Sequence, residues 1–261
     1  MLLNKVNFVW RLVATAFGFA VFGVGGVIIP IIAVPILYIL PGDSLVREKR
    51  GQKCIHLGFK SFIELMRLLR VLSYDVKGIE ALRNSQLVLA NHPTLLDVVF
   101  LIGLIPNANC VVKGALLKNP CMRFAIKSAG YTINSGCADD VIEQAKEAFD
   151  KGQVMIVFPE GTRSIPGESL KLKRGAANIA LRADVDITPV TITCEPISLT
   201  KHAKWYNIPE RPMHFTITTK SLIRADRFKQ EASNSLGARA LTEFLTKYFN
   251  AEVAVNDSVT K

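Results

Sequence analysis

From residue 74 onward, short apolar runs alternate with longer stretches whose apolar positions recur every three or four residues. The runs at 87–91, 109–113, 131–134, 154–158, 186–194 and 213–221 have strand length. The stretches at 94–105, 115–130 (interrupted at Pro120), 138–152, 172–184 and 234–249 have helical length. The 138–152 helix is the best marked, with Asp139 and Asp140 at its start and Gly152 beyond its end. "VMIVF" at 154–158 is apolar throughout, as a strand covered on both faces requires. Strands alternating with helices predict an α/β fold: a mostly parallel sheet flanked by helices. Upstream, "KSFIELMRLLRVLS" at 60–73 reads as an amphipathic helix, and the last dozen residues as a frayed tail.

The first forty residues break this pattern. No charge occurs between Arg11 and Asp43. The eighteen residues between Arg11 and Pro30 make about 27 Å of helix, close to the ~30 Å of a bilayer's hydrocarbon. Trp10 and Tyr38 stand where interfacial aromatics belong. The stretch is longer than a signal-peptide core and carries Pro30 and Pro35, which argues against cleavage. Two geometries remain open: one span, or a proline-bent hairpin. The basic residues Arg47, Lys49, Arg50 and Lys53 place the following domain on the cytoplasmic face of the inner membrane. The division expected is 1–43 membrane anchor, 44–250 catalytic domain and 251–261 tail.

Composition supports a membrane setting and an anionic partner. Mean hydropathy is +0.27 and the isoelectric point about 9.5, with 32 basic against 22 acidic residues. No helix-turn-helix, zinc finger or stacking motif accompanies the charge, so no nucleic acid is expected. The five cysteines and four histidines are scattered without ligand spacing, so neither a disulfide framework nor a metal site is expected.

Two stretches carry chemistry. In "LVLANHPTLLDVVFL" (87–101), His92 precedes proline, which drives it out of helical conformation to a strand-to-helix junction. Open α/β sheets bind ligands at that edge. Asp97, five residues on, can reach back to the imidazole, fix its tautomer and leave the other nitrogen as a base. The same pair can also be an ordinary helix start. In "VFPEGTRS" (157–164) a second apolar strand ends in Glu160, Gly161, Thr162 and Arg163. Gly161 permits a tight turn, and Arg163 offers a planar fork for phosphate or carboxylate, or for a plain surface ion pair.

"NHPTLLD" (91–97) followed by "FPEGTRS" (158–164) resembles the lysophospholipid acyltransferase family, with weaker matches at "VVKGALLKNP" (111–120) and "ITPVTI" (187–192). The resemblance spans roughly 74–220. It implies a glycerophosphate acyltransferase-like fold and transfer of an acyl group from coenzyme A or acyl carrier protein to a hydroxyl of a lysophospholipid such as 1-acylglycerol-3-phosphate. His92 would be the base and Asp97 its orienting partner. Glu160, Gly161, Thr162 and Arg163 would position the acceptor, with Arg163 on its phosphate, and Lys113 would steady the oxyanion. The donor is a co-substrate, and no cofactor is implied. One departure stands out: Asn134 and Ser135 lie near where the family carries a basic residue, with Lys171, Lys173 and Arg174 as candidate substitutes. The alternatives are the same chemistry on a specialised acceptor with a carrier-protein donor, or a non-catalytic basic lipid-binding membrane protein.

Overall fold

The computed structural model describes residues 2–229 and 233–259. Six strands form one sheet: β1 (Leu72–Lys77), β2 (Leu87–Ala90), β3 (Ala108–Cys110), β6 (Val154–Val157), β7 (Ile187–Glu195) and β8 (Met213–Thr219). Their order is β1-β8-β7-β2-β6-β3, and a two-stranded sheet of β4 (Val112–Lys113) and β5 (Ile133–Asn134) stands beside it. Every pairing is parallel except β7 with β8. The helices after the N-terminal pair are α3 (Ile79–Arg83), α4 (Asp97–Leu104), α5 (Pro120–Ser128), α6 (Ala138–Asp150), α7 (Gly175–Arg182) and α8 (Asn234–Val259).

The alternation of side chains along β2 builds both halves of the core. Val88 and Ala90 join Ile156, Val190 and Ile192 under α4, whose Val99, Phe100 and Ile102 are buried there. Leu87 and Leu89 point the other way, to Val141, Ile142 and Ala145 of α6 and to Leu241, Leu245 and Phe249 of α8. Burial on both faces explains why these strands read as unbroken apolar runs.

At the N-terminus, α1 (Leu2–Ile39) is a single helix that continues through Pro30 and Pro35. The chain reverses only after Ile39. Asp43 then caps α2 (Ser44–Leu68), accepting the Val46 N–H at 2.8 Å. The chain reversal weighed at the prolines therefore falls instead at residues 40–43. One stripe of α1, including Arg11, Ala14, Thr15 and Gly18, packs on the domain, while Phe17, Val27, Ile28, Ile31, Ile32 and Ile36 remain exposed. A Cβ on Gly18 would sit 2.4 Å from Met66 Sδ of α2, so the glycine sets that close crossing.

Several boundaries differ from the sequence reading. The amphipathic helix begins at Ser44 rather than 60, because capping by Asp43, not periodicity, starts it. β1, unforeseen, takes the residues read as that helix's end, Leu72 and Ser73. The 109–113 run divides between two sheets. α8 continues through Val259 across residues expected to fray, and 260–261 lie outside the described residues.

Candidate active site

β2 and β6 lie side by side and parallel, with Leu89 opposite Val157, so both motifs leave the sheet at one edge. Asn91 ties that edge to β7. Its Nδ2 donates to the Ile192 carbonyl at 2.9 Å, and the Ile192 N–H donates to Asn91 Oδ1 at 2.7 Å. This amide extends the ladder past the last residue of β2 and fixes where His92 begins its turn.

Residues 94–97 form a hydrogen-bonded turn that leads into α4. Thr94 Oγ1 accepts the Leu96 N–H at 3.2 Å, and Asp97 Oδ2 accepts the Thr94 N–H at 2.7 Å. Thr94 Oγ1–H also donates to Asp97 Oδ1 at 2.6 Å. Held this way, Asp97 Oδ2 lies 2.8 Å from His92 Nδ1. An ionised acceptor there assigns the proton to Nδ1 and leaves Nε2 as the basic nitrogen. The Asp97 side chain is 0% exposed and that of His92 16%, so only the imidazole meets a substrate. Phe158 lies against the ring, with centroids 4.4 Å apart. Burial pushes the Asp97 carboxyl pKa up, opposed by the His92 and Thr94 hydrogen bonds.

The two motifs are laced together. Glu160 Oε1 accepts the His92 N–H at 2.9 Å and the Ser164 hydroxyl at 3.0 Å. The Ser164 N–H in turn donates to the His92 carbonyl at 2.7 Å. Glu160 is itself buried, and burial pushes its carboxyl pKa up against the pull of these two donors. Gly161 takes φ +67°, and its N–H donates to the Phe158 carbonyl at 2.9 Å, closing the turn that only glycine enters without strain.

The remaining sequence candidates fall into two groups. Arg163 joins the cluster indirectly: its Nη1 donates to the carbonyls of Leu199 at 3.1 Å and Thr200 at 2.9 Å, and the Leu95 N–H donates to the same Leu199 carbonyl at 3.1 Å. Thr162 is exposed on the turn. Lys113 ends β4, paired in register with Asn134, and among the described residues no hydrogen bond links it to the His92 cluster. Sequence reasoning missed Thr94, Phe158, Ser164 and the 199–200 backbone. Of these only Thr94 had a signal, a threonine three residues before an acid, the spacing of a hydrogen-bonded turn at a helix start. Among the described residues no group of three or more histidine, cysteine or acidic side chains is placed to hold a metal ion.

An acyltransferase family profile matches residues 73–193. The 1-acyl-sn-glycerol-3-phosphate acyltransferase of Cocos nucifera is 26% identical over 165 residues, which are 61% of this chain and 52% of that protein. The Helicobacter pylori protein of the same name is 25% identical over 171 residues, 62% of this chain and 69% of its own. The match to the coconut protein thus spans about half of that relative's length. The crystal structure of the 1-acyl-sn-glycerophosphate acyltransferase PlsC from Thermotoga maritima superposes with a TM-score of 0.70 at 20% identity, covering 96% of this chain and 98% of that one. At that identity the superposition establishes the fold.

Proposed function

We propose that this chain is an acyltransferase that moves a fatty acyl group from a thioester of coenzyme A or acyl carrier protein to a hydroxyl of a lysophospholipid such as 1-acylglycerol-3-phosphate. The observation that carries the reading is the 2.8 Å contact between His92 Nδ1 and a fully buried Asp97. The His92 backbone is bonded at the same time to Glu160 of the second motif.

The chemistry follows from that geometry. His92 Nε2 takes the proton of the acceptor hydroxyl as its oxygen attacks the thioester carbonyl carbon. The new C–O bond forms, the C–S bond breaks, and the departing thiolate takes the proton back from the imidazolium. Asp97 stabilises the imidazolium between the two transfers. A thioester is already activated, so the base alone lowers the main barrier, a contribution of about 10²–10⁴-fold. The turn from Glu160 to Arg163 forms the acceptor's wall.

The apolar outer face of α1 supports membrane attachment. The helix is long and apolar enough to cross a bilayer, and its exposed side chains are aliphatic and aromatic. In the 196–212 segment, half-exposed Trp205 lies against Phe19 of α1, with ring centroids 5.9 Å apart. The basic residues of α2 favour the cytoplasmic face of the inner membrane.

The test supplies purified protein in lipid with acyl-coenzyme A and acyl carrier protein donors and a panel of lysolipids, and identifies products by mass spectrometry. Acylated lysophosphatidate is the expected product, and no acyl transfer to any lysolipid refutes the reading. A specialised acceptor is the second reading. It is favoured by the end of β5, where Asn134 and the following Ser135 offer no cation; product on an acceptor outside the glycerophosphate class, with none on lysophosphatidate, would establish it.

A further inference from the structure

The chain between β7 and β8, residues 196–212, lines up side chains in an order that runs from apolar to charged. Phe19 of α1 stands at one end, its ring centroid 5.9 Å from that of Trp205. Tyr206 meets Trp205 edge to face at 5.6 Å, and the Lys204 ammonium lies 5.5 Å from the Tyr206 centroid. Trp205 is 44% exposed and Tyr206 46%. Lys201, Lys204 and Arg211 are exposed as well, and among the described residues none of the three forms an ion pair. The one acid of the segment is Glu210. The segment is fixed near both ends. Arg11, buried on α1, donates from Nη2 to the carbonyls of Pro209 and Glu210. The Leu95 N–H donates to the Leu199 carbonyl at 3.1 Å, which roots the segment in the turn between His92 and Asp97.

An apolar ring, two amphipathic rings and an ammonium follow the order of chemistry met on leaving a bilayer's hydrocarbon. Trp and Tyr settle at headgroup depth, and lysine stems carry their charge past them to the water. We propose that residues 201–211 form a headgroup-binding surface for anionic phospholipids, with Lys201, Lys204 and Arg211 on their phosphates. The proposal rests on the membrane attachment of α1 and adds to it a preference for lipid charge, which an apolar helix does not have. The partner is a lipid surface rather than an acidic protein, because the cations adjoin rings that continue directly from Phe19 of α1. The segment is held by backbone bonds at 199 and 209–210, so its cations are presented from a fixed base.

The test uses the full-length Trp10→Phe protein, in which Trp205 is the remaining tryptophan. It is reconstituted in vesicles of phosphatidylcholine with brominated acyl chains, alone or mixed with phosphatidylglycerol. The ratio of lipid-quenched to acrylamide-accessible Trp205 emission reports how much of the segment lies on the bilayer. That ratio is expected to rise about fivefold or more with phosphatidylglycerol at low salt, the factor for about 1 kcal/mol per basic residue near an anionic surface, and to fall back in about 1 M salt. Lys201→Gln, Lys204→Gln and Arg211→Gln together are expected to abolish the rise, and Lys201→Arg with Lys204→Arg to keep it. The same ratio in both vesicles, or a rise that survives the triple glutamine variant, overturns the assignment. A Trp205 response to acidic acyl carrier protein but not to phosphatidylglycerol also overturns it and gives the cations to a protein partner. Failure of the protein to float with either vesicle refutes the membrane attachment of α1 instead.

Discussion

Replacing Asp97 by asparagine separates the charge of the buried carboxylate from its shape. The amide oxygen can still accept from His92 Nδ1–H and the Thr94 N–H, and the amide NH₂ can donate to the Thr94 hydroxyl, so the 94–97 turn survives. What is lost is the attraction between carboxylate and imidazolium when His92 holds the acceptor's proton. At the observed 2.8 Å, Coulomb's law with an effective dielectric constant of about 20 gives about 6 kcal/mol as an upper limit. The lower limit is the difference between a charged and a neutral hydrogen bond, about 1–2 kcal/mol. Between these, kcat is expected to fall about 10²–10³-fold, each tenfold corresponding to about 1.4 kcal/mol. Stability is expected to move the other way. Burial raises the Asp97 pKa, so the wild type loses stability as pH rises from the ordinary value of 3.8 through the raised one, and asparagine has no such loss. The assay pairs thiol release from an acyl thioester with urea denaturation at pH 7. A kcat within about threefold of wild type, or an amide variant markedly less stable than wild type, would refute this reasoning.

Other residues give separate expectations. Asn91→Ala leaves the Ile192 N–H and carbonyl without their buried partner and is expected to cost about 2–4 kcal/mol in denaturant unfolding; a loss under about 1 kcal/mol contradicts the role of the amide as a ladder rung. Because burial raises the Glu160 pKa above 4.5, wild type is expected to lose stability relative to Glu160→Gln as pH rises from about 4.5, and a flat difference between about pH 4 and 7 contradicts it. In a Trp10→Phe protein, Trp205 is the remaining tryptophan, and its fluorescence is expected to be quenched by brominated lipid in vesicles; unquenched emission places the 196–212 segment away from the bilayer.

The parallel core was legible because strands covered on both faces leave long apolar runs, as at 87–90 and 154–157. The strand β1 was not. Its apolar Leu72, Tyr74 and Val76 do alternate with polar Ser73, Asp75 and Lys77, a local strand signal, but the helical periodicity of 60–73 runs over its first two residues and masks it. The pairing of His92 with Asp97 was legible through spacing, because Pro93 puts His92 at a strand-to-helix junction and Asp97 lies one turn on, in the first turn of α4. The lacing of that turn to Glu160 and Ser164 was not, since it depends on β2 and β6 being neighbours in the sheet. Arg163 shows the limit most clearly: its chemistry suits a phosphate, but its acceptors are carbonyls brought in by the segment after β7.

The most direct measurement is turnover of lysophosphatidate and an acyl thioester by purified His92→Ala, with melting temperature and vesicle binding recorded on the same preparation. The kcat is expected to drop by about 10²-fold or more while the protein stays folded and lipid-bound. Wild-type turnover in a folded alanine variant would contradict it.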